Sequence, residues 1–228
     1  AIGGEAFWGE TTITSVVIPD SVTRIGNSAF YKCTGLTTVS IGNGVETIDN
    51  YAFFNCAGLT TVTLGNSVET ISDFAFRSCT SLTLVTIPDS VTQIGDAAFD
   101  GTGLTMVTLG NSVKTIGAYA FYGCPLTTLT IPDSVTNIGN SAFWACTRLE
   151  GVYFNGSAPA MGKNVFRYVT TIAYYYPDET WTADVMQNYG GTITWVAMGS
   201  DAEGATLSGS YISHGEATNA VTIQLIPS

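Results

Sequence analysis

An Ala-Phe pair returns at Phe7, Phe30, Phe53, Phe76, Phe99, Phe121 and Phe143, with a Val-Phe version at Phe166, in steps of 23, 23, 23, 23, 22, 22 and 23 residues. A fixed period of that length is the signature of a repeat architecture, and it removes most other folds from consideration. The flanking positions keep the same phase. Ile25, Ile48, Ile71, Ile94, Ile116 and Ile138 precede the Phe, and Val22, Val45, Val68, Val91, Val113 and Val135 precede those. The unit reads Leu-x-x-Val-x-Ile-Pro-x-Ser-Val-x-x-Ile-Gly-x-x-Ala-Phe-x-x-Cys.

Each part of the unit has a physical role. Leu36, Val39 and Ile41, with their copies in later units, predict a short strand whose alternating residues point inward. Pro19, Pro88 and Pro132, or Gly42, Gly65 and Gly110, follow at once and end it, because Pro lacks an amide donor and Gly permits a turn. A corner is expected next, at Gly26, Gly95, Gly117 and Gly139, with Asp49 and Ser72 replacing Gly in two copies. The Ala-Phe segment then predicts about one helical or 3₁₀ turn that drops the ring into the core. A unit this small cannot bury its own apolar face, so units must stack as a parallel coil at about 4.8 Å per rung. Seven strands at that spacing give a rod of roughly 30 to 35 Å.

Two further ladders follow from the register. Ser21, Ser67, Ser90, Ser112, Ser134 and Ser157 fall at one corner, where hydroxyls suit buried loop amides. Cys33, Cys56, Cys79, Cys124 and Cys146 fall at another, with Thr102 in the missing rung. Equivalent positions of successive rungs point in parallel, which favours free thiols as small apolar fillers over a bridge or a metal. The single His and the absence of a close Cys pair speak against zinc.

The formal net charge of −11 repels phosphate backbones and anionic bilayers, so neither nucleic acid nor membrane docking is expected. No apolar stretch approaches the roughly 18 residues of a membrane helix, so no membrane insertion is expected. Ala1 opens in mid-repeat, and a processing boundary with a removed secretory leader is the expectation there.

The pattern Leu82, Val85, Ile87, then Pro88-Asp89-Ser90-Val91, Ile94-Gly95 and Ala98-Phe99 resembles the BspA-type leucine-rich repeat, over roughly residues 2 to 167. The resemblance implies a leucine-rich-repeat solenoid, mostly β with short helical or 3₁₀ turns, a parallel β-sheet on one face and about seven repeats of 22 to 23 residues. It also implies an extracellular or cell-surface bacterial protein used in adhesion to host or matrix proteins, with no catalytic activity and no cofactor. The units depart from the best-known leucine-rich repeats in carrying Ser where those place an Asn ladder, and a Phe turn in place of a long helix.

Residues 1–169 are assigned to the solenoid, 170–198 to a C-terminal α+β cap, and 199–228 to a linker with a terminal strand or hairpin at Val221, Ile223 and Leu225. In the cap, strands are expected at 171–176 and 192–196, with a helix from an Asp178 N-cap through about Tyr189. A solenoid needs its last rung covered, which the aromatic residues of this segment suit.

Two surfaces are candidate binding sites. The outward side chains of the strands form an uncharged face of hydroxyl and apolar groups, including Thr61, Thr63, Thr128 and Thr130, with Leu84, Met106 and Tyr153 as apolar anchors. Beside the Phe positions runs a row holding Trp8, Tyr31, Phe54, Arg77, Asp100, Tyr122, Trp144 and Arg167, flanked by Tyr51, Phe74 and Tyr119. Tyr and Trp in a row suit a protein hot spot or stacking on sugars. Solvent-facing β-propensity explains the first surface and edge packing explains the second equally simply. No convergent nucleophile and base appear: His214 sits in the tail, and Asp20, Asp89 and Asp133 lie in Pro-Asp turns where local bonding explains them. The function expected is a non-catalytic binding module for a protein or glycan partner, with a passive spacer displaying another domain as the competitor.

Overall fold

A computed structural model describes residues 1–199. His214 and the hairpin expected at Val221, Ile223 and Leu225 lie outside the described residues. The first rungs hold β1 (Ser15–Ile18), β2 (Arg24–Ile25), β3 (Thr38–Ile41), β4 (Thr47–Ile48), β5 (Thr61–Thr63), β6 (Thr70–Ile71), β7 (Leu84–Thr86) and β8 (Gln93–Ile94). The later rungs hold β9 (Met106–Thr108), β10 (Thr115–Ile116), β11 (Thr128–Ile131), β12 (Asn137–Ile138), β13 (Gly151–Phe154), β14 (Ala160–Met161), β15 (Thr170–Tyr175) and β16 (Thr192–Ala197). No helix occurs among the described residues, so none there is long and apolar enough to cross a membrane.

Every pairing is parallel and joins equivalent positions of consecutive rungs, as in Val16↔Val39 and Val39↔Val62. Stacked copies thereby bury the apolar stripe that one copy leaves open. The two-residue strands β2 to β14 form a second, seven-stranded parallel sheet. The corner expected at Val-x-x-Ile-Gly is therefore a β-ladder that turns only after the Ile. Gly139 follows its strand with an ordinary φ, and a Cβ there would meet Ala118 N at 2.4 Å. Close approach between rungs, rather than a left-handed turn, explains the glycine.

The first sheet is split into β1-β3-β5, β7-β9 and β11-β13-β15-β16. After β3 and β13 the next residue donates to the preceding rung: Gly42 N to Ile18 O at 2.8 Å, Asn155 N to Ile131 O at 3.0 Å. The equivalent positions in the rungs of β7 and β11 hold Pro88 and Pro132, which have no N–H to give to Leu64 or Leu109. Both breaks fall at these two rungs.

Phe30, Phe53, Phe76, Phe99, Phe121, Phe143 and Phe166 are buried, and Phe7 caps their column at 37% exposure. Consecutive rings stack face to face along the whole column, with centroids 4.9 Å apart at Phe7–Phe30, 5.1 Å at Phe53–Phe76 and 5.6 Å at Phe143–Phe166. Burial of each ring contributes about 1.5–3 kcal/mol, and each ring pair adds about 0.5–1.5 kcal/mol.

The segment around each Phe is a pair of tight turns, and the expected helical turn is absent. Residues two before the Phe (Ser28, Tyr51, Phe74, Ala97, Tyr119, Ser141) and two after it (Lys32, Asn55, Ser78, Ala145, Tyr168) all have φ between 50° and 63°. Alternate amides divide their bonds accordingly. Ala29 N donates within its turn to Gly26 O, while Phe30 N donates to Ala52 O of the next rung. A helix cannot form across residues held left-handed.

Side chains continue the ladders. Cys56 Sγ donates to Phe30 O at 3.0 Å and Cys146 Sγ to Phe121 O at 3.1 Å, and all five thiols are free and buried. Ser90 Oγ and Ser134 Oγ each donate to a Val carbonyl of the preceding rung at 2.8 Å, so these hydroxyls serve carbonyls rather than the loop amides expected. Asx side chains serve the amides. Asp20 Oδ1 accepts from Asn43 N, Asn43 Oδ1 from Asn66 N, and Asp89 Oδ1 from Asn111 N, which replaces the local bonding expected of these turns with bonding between rungs.

Burial pushes the Cys79 thiol up to about 12 and the Cys124 thiol up to about 12, the latter against the Thr102 hydrogen bond. Cys56, Cys79, Cys124 and Cys146, all raised, are therefore expected to resist a disulfide thiol reagent in mildly alkaline buffer while the protein is folded, whereas the Cys33 thiol is lowered by its hydrogen bond with Cys56; all five react once guanidinium unfolds the chain. Reaction of more than one thiol while the protein stays folded would contradict this packing. Because the folded values lie above the ordinary 9.0, this contribution to stability is full below pH 9 and falls as pH rises from there toward 12.

Beyond Val169, β15 and β16 add parallel strands to the sheet. The expected helix from Asp178 to Tyr189 is absent. Asp178 binds the Thr180 hydroxyl and amide and accepts from Ser157 Oγ at 2.8 Å, and these bonds hold its carboxyl below the usual range. Its capping oxygen is thus spent on an Asx turn tied to the preceding rung. Trp181 folds back over the last rung, donating from Nε1 to Gly156 O at 3.2 Å and packing edge-on against Phe154.

Candidate functional site

The outward positions of the first sheet fall in two columns, because strand side chains alternate. One holds Ser15, Thr38, Thr61, Leu84, Met106, Thr128, Gly151 and Ile172; the other holds Val17, Ser40, Thr63, Thr86, Thr108, Thr130, Tyr153 and Tyr174. Leu84 and Met106 are register partners and each is 52% exposed. Tyr153 stacks on Tyr174 at 4.7 Å and leans over Gly151, where a Cβ would stand 3.2 Å from its ring. The small Gly151 thus lets the Tyr153 ring reach the column of Leu84 and Met106, with Thr128 between. Thr61, Thr63 and Thr128 remain exposed hydroxyls on the same face, as does Thr130.

The break between β5 and β7 opens this face. A shallow depression of about 850 Å³ lies there, lined among others by Thr61, Thr63, Leu84, Thr86, Pro88 and Asp89. Val62 at its base is only half-buried, while the equivalent Val39 and Val85 are buried. The recess thus lies at the break in the ladder, beside the exposed Leu84 and with Pro88 in its lining. The recess was hidden in the sequence, where Pro88 reads as a strand terminator alone.

The aromatic row divides in two. Trp8, Tyr31 and Phe54 stack on one another at 4.0 and 4.8 Å, and Tyr51 stacks on Phe74 at 4.8 Å, so these rings are largely engaged with each other. Tyr122 and Trp144 meet at a tilt of 57° with centroids 5.8 Å apart, and Arg167 covers the Trp144 ring at 4.7 Å. Between the halves stand Arg77 and Asp100, paired through Arg77 Nε and Asp100 Oδ2 at 2.9 Å. The Asp100 carboxyl is raised by burial, against the pull of Arg77.

Among the described residues no group of three or more His, Cys, Asp or Glu side chains is placed to hold a metal ion.

The profile of the BspA type Leucine rich repeat region matches six copies, over residues 1–111 and 69–183. A leucine rich cell surface protein from Faecalibacterium prausnitzii A2-165, solved by crystallography, is 40% identical over 68% of this chain, with a TM-score of 0.64. The chain spans 43% of the length of that protein. A leucine-rich repeat protein from Eubacterium ventriosum, 22% identical with a TM-score of 0.50, is similar in fold over 86% of this chain and 57% of its own. Comparison with functionally curated proteins gives no match. The recurrent Phe column, the parallel rungs and the six matched copies place this chain in the BspA-type leucine-rich repeat family.

Proposed function

We propose that the chain is a non-catalytic binding module on the outside of a bacterial cell, and that it takes hold of a host or matrix protein with the sheet face around Leu84, Met106 and Tyr153. The observation that carries the reading is the exposed Leu84–Met106 pair, in register on an uncharged hydroxyl face and beside the recess at the β5–β7 break. Apolar anchors next to a recess, ringed by hydroxyls, have the anatomy of an interface hot spot. The cell-surface description of the F. prausnitzii relative supports the location. The reading assigns no reaction, since Asp20 and Asp89 are spent on backbone amides of the following rungs.

Alanine at Leu84, Met106 and Tyr153 together tests it, with capture on immobilised fibronectin, fibrinogen, laminin and collagen measured before and after. Loss of at least tenfold in affinity for a matrix protein that the unaltered chain binds is expected, without a shift in melting temperature. Capture unchanged by the triple substitution would favour the passive spacer.

A further inference from the structure

The interruption of the aromatic row is itself a shaped cavity of about 440 Å³, lined by Phe74, Arg77, Ala97, Asp100, Tyr119, Tyr122 and Trp144. It arises from one small residue. Phe74, Ala97 and Tyr119 occupy the same left-handed position in three consecutive rungs, with φ of 59°, 50° and 57°. Tyr51 and Phe74, one rung apart in that column, stack at 4.8 Å. With Ala in the middle rung, Phe74 and Tyr119 stand two rungs apart, about 10 Å at strand spacing. That gap admits one saturated ring, with carbon contacts of about 4 Å on each side.

The floor supplies matched polar groups. Arg77 Nε lies 2.9 Å from Asp100 Oδ2, so a guanidinium with five N–H donors and a carboxylate acceptor stand together in the lining. Arg77 is held in place by the Phe74 ring, 5.6 Å from its guanidinium carbon. Trp144, on the far wall, is held from behind by Arg167. The walls are therefore largely positioned before a ligand arrives, which lowers the entropic cost of binding.

We infer that this notch is a binding site for one neutral pyranose unit of a glycan, its ring seated between Phe74 and Tyr119 and two adjacent hydroxyls bonded to Asp100 and Arg77. A sugar ring offers apolar C–H faces to aromatic rings and, on its edge, hydroxyls that both donate and accept. An adjacent hydroxyl pair matches a carboxylate oxygen beside a guanidinium N–H. A cationic group would meet Arg77 and an anionic group Asp100, and the internal ion pair leaves the notch without net charge. The site lies on the aromatic corner and does not depend on the sheet face acting as a protein-binding surface.

The test is calorimetric titration of the full chain with cellohexaose, laminarihexaose, maltohexaose, mannohexaose and xylohexaose. At least one is expected to bind with a dissociation constant between about 10 µM and 1 mM, the range for a site that engages one or two sugar rings. Ala97→Phe continues the aromatic column through the notch, at a backbone position where Phe74 already stands, and is expected to abolish that binding. Tyr119→Ala and Asp100→Asn are each expected to weaken it at least tenfold, and Trp8→Ala, on the closed half of the row, to leave it unchanged. No binding by any of the five sugars would overturn the inference. So would binding that survives Ala97→Phe in a folded variant or, should that variant fail to fold, binding unaffected by both Tyr119→Ala and Asp100→Asn. Matrix-protein capture by the Ala97→Phe variant reports separately on the sheet face.

Discussion

Replacing Phe99 with Ala is expected to lower the stability of the chain by about 3–5 kcal/mol, the cost of deleting a fully buried aromatic ring and leaving a cavity. Phe99 is wholly buried and stacks on Phe76 at 5.3 Å and on Phe121 at 5.4 Å, so both faces of the ring lose partners at once. Because each rung touches only its neighbours, the damage falls at the junction of the two halves and should broaden the urea transition as well as shift it. Phe7→Ala is the control. That ring is partly exposed and has one stacking partner, Phe30, so its loss should move the midpoint far less. Equal shifts from the two substitutions would contradict the packing described.

Trp181→Ala is expected to produce the second large effect, about 3–5 kcal/mol at the C-terminal end. The indole is buried, bonds to Gly156 O, and meets the rings of Phe154, Tyr175 and Trp195. Removing it uncovers Phe154 in the last part of the core. Exposed core at a solenoid end favours association between chains. Light scattering should therefore rise with concentration in this variant and stay flat in the unaltered chain. A variant that kept both the melting temperature and the solution mass of the unaltered chain would show that Trp181 covers nothing of consequence.

The core of this fold was legible because Phe, Ile and Val each recur in phase, and a period of 22 to 23 residues leaves stacking as the only way to bury them. What escaped the sequence was local geometry without a compositional marker. The strands at Arg24–Ile25 and its copies are two residues long and have too little alternation to declare themselves. The turns around each Phe hold Tyr51, Phe74 and Tyr119 at positive φ, a conformation those residue types rarely adopt, so propensity pointed to a helical turn. Asp178 read as a helix N-cap because its role is set by Ser157 and Thr180 in space.

The candidate surfaces were readable as rows, and their relief was not. Leu84 and Met106 stood out as apolar residues among hydroxyls, but the recess beside them depends on a break between β5 and β7 that no residue type announces. Arg77 and Asp100 read as a fault in the aromatic row. In three dimensions the fault is a cavity, because Ala97 stands between Phe74 and Tyr119 in the neighbouring column.

A double-mutant cycle on Phe76 and Phe99, each replaced by Leu, is the most direct test of the stacked-rung account. Their rings are 5.3 Å apart and nearly parallel, so a coupling free energy of about 0.5–1.5 kcal/mol is predicted from urea unfolding. The same cycle on Phe30 and Phe143, separated by four rungs, should be additive within about 0.3–0.5 kcal/mol. Absence of coupling in the adjacent pair, or coupling as large in the distant one, would contradict it.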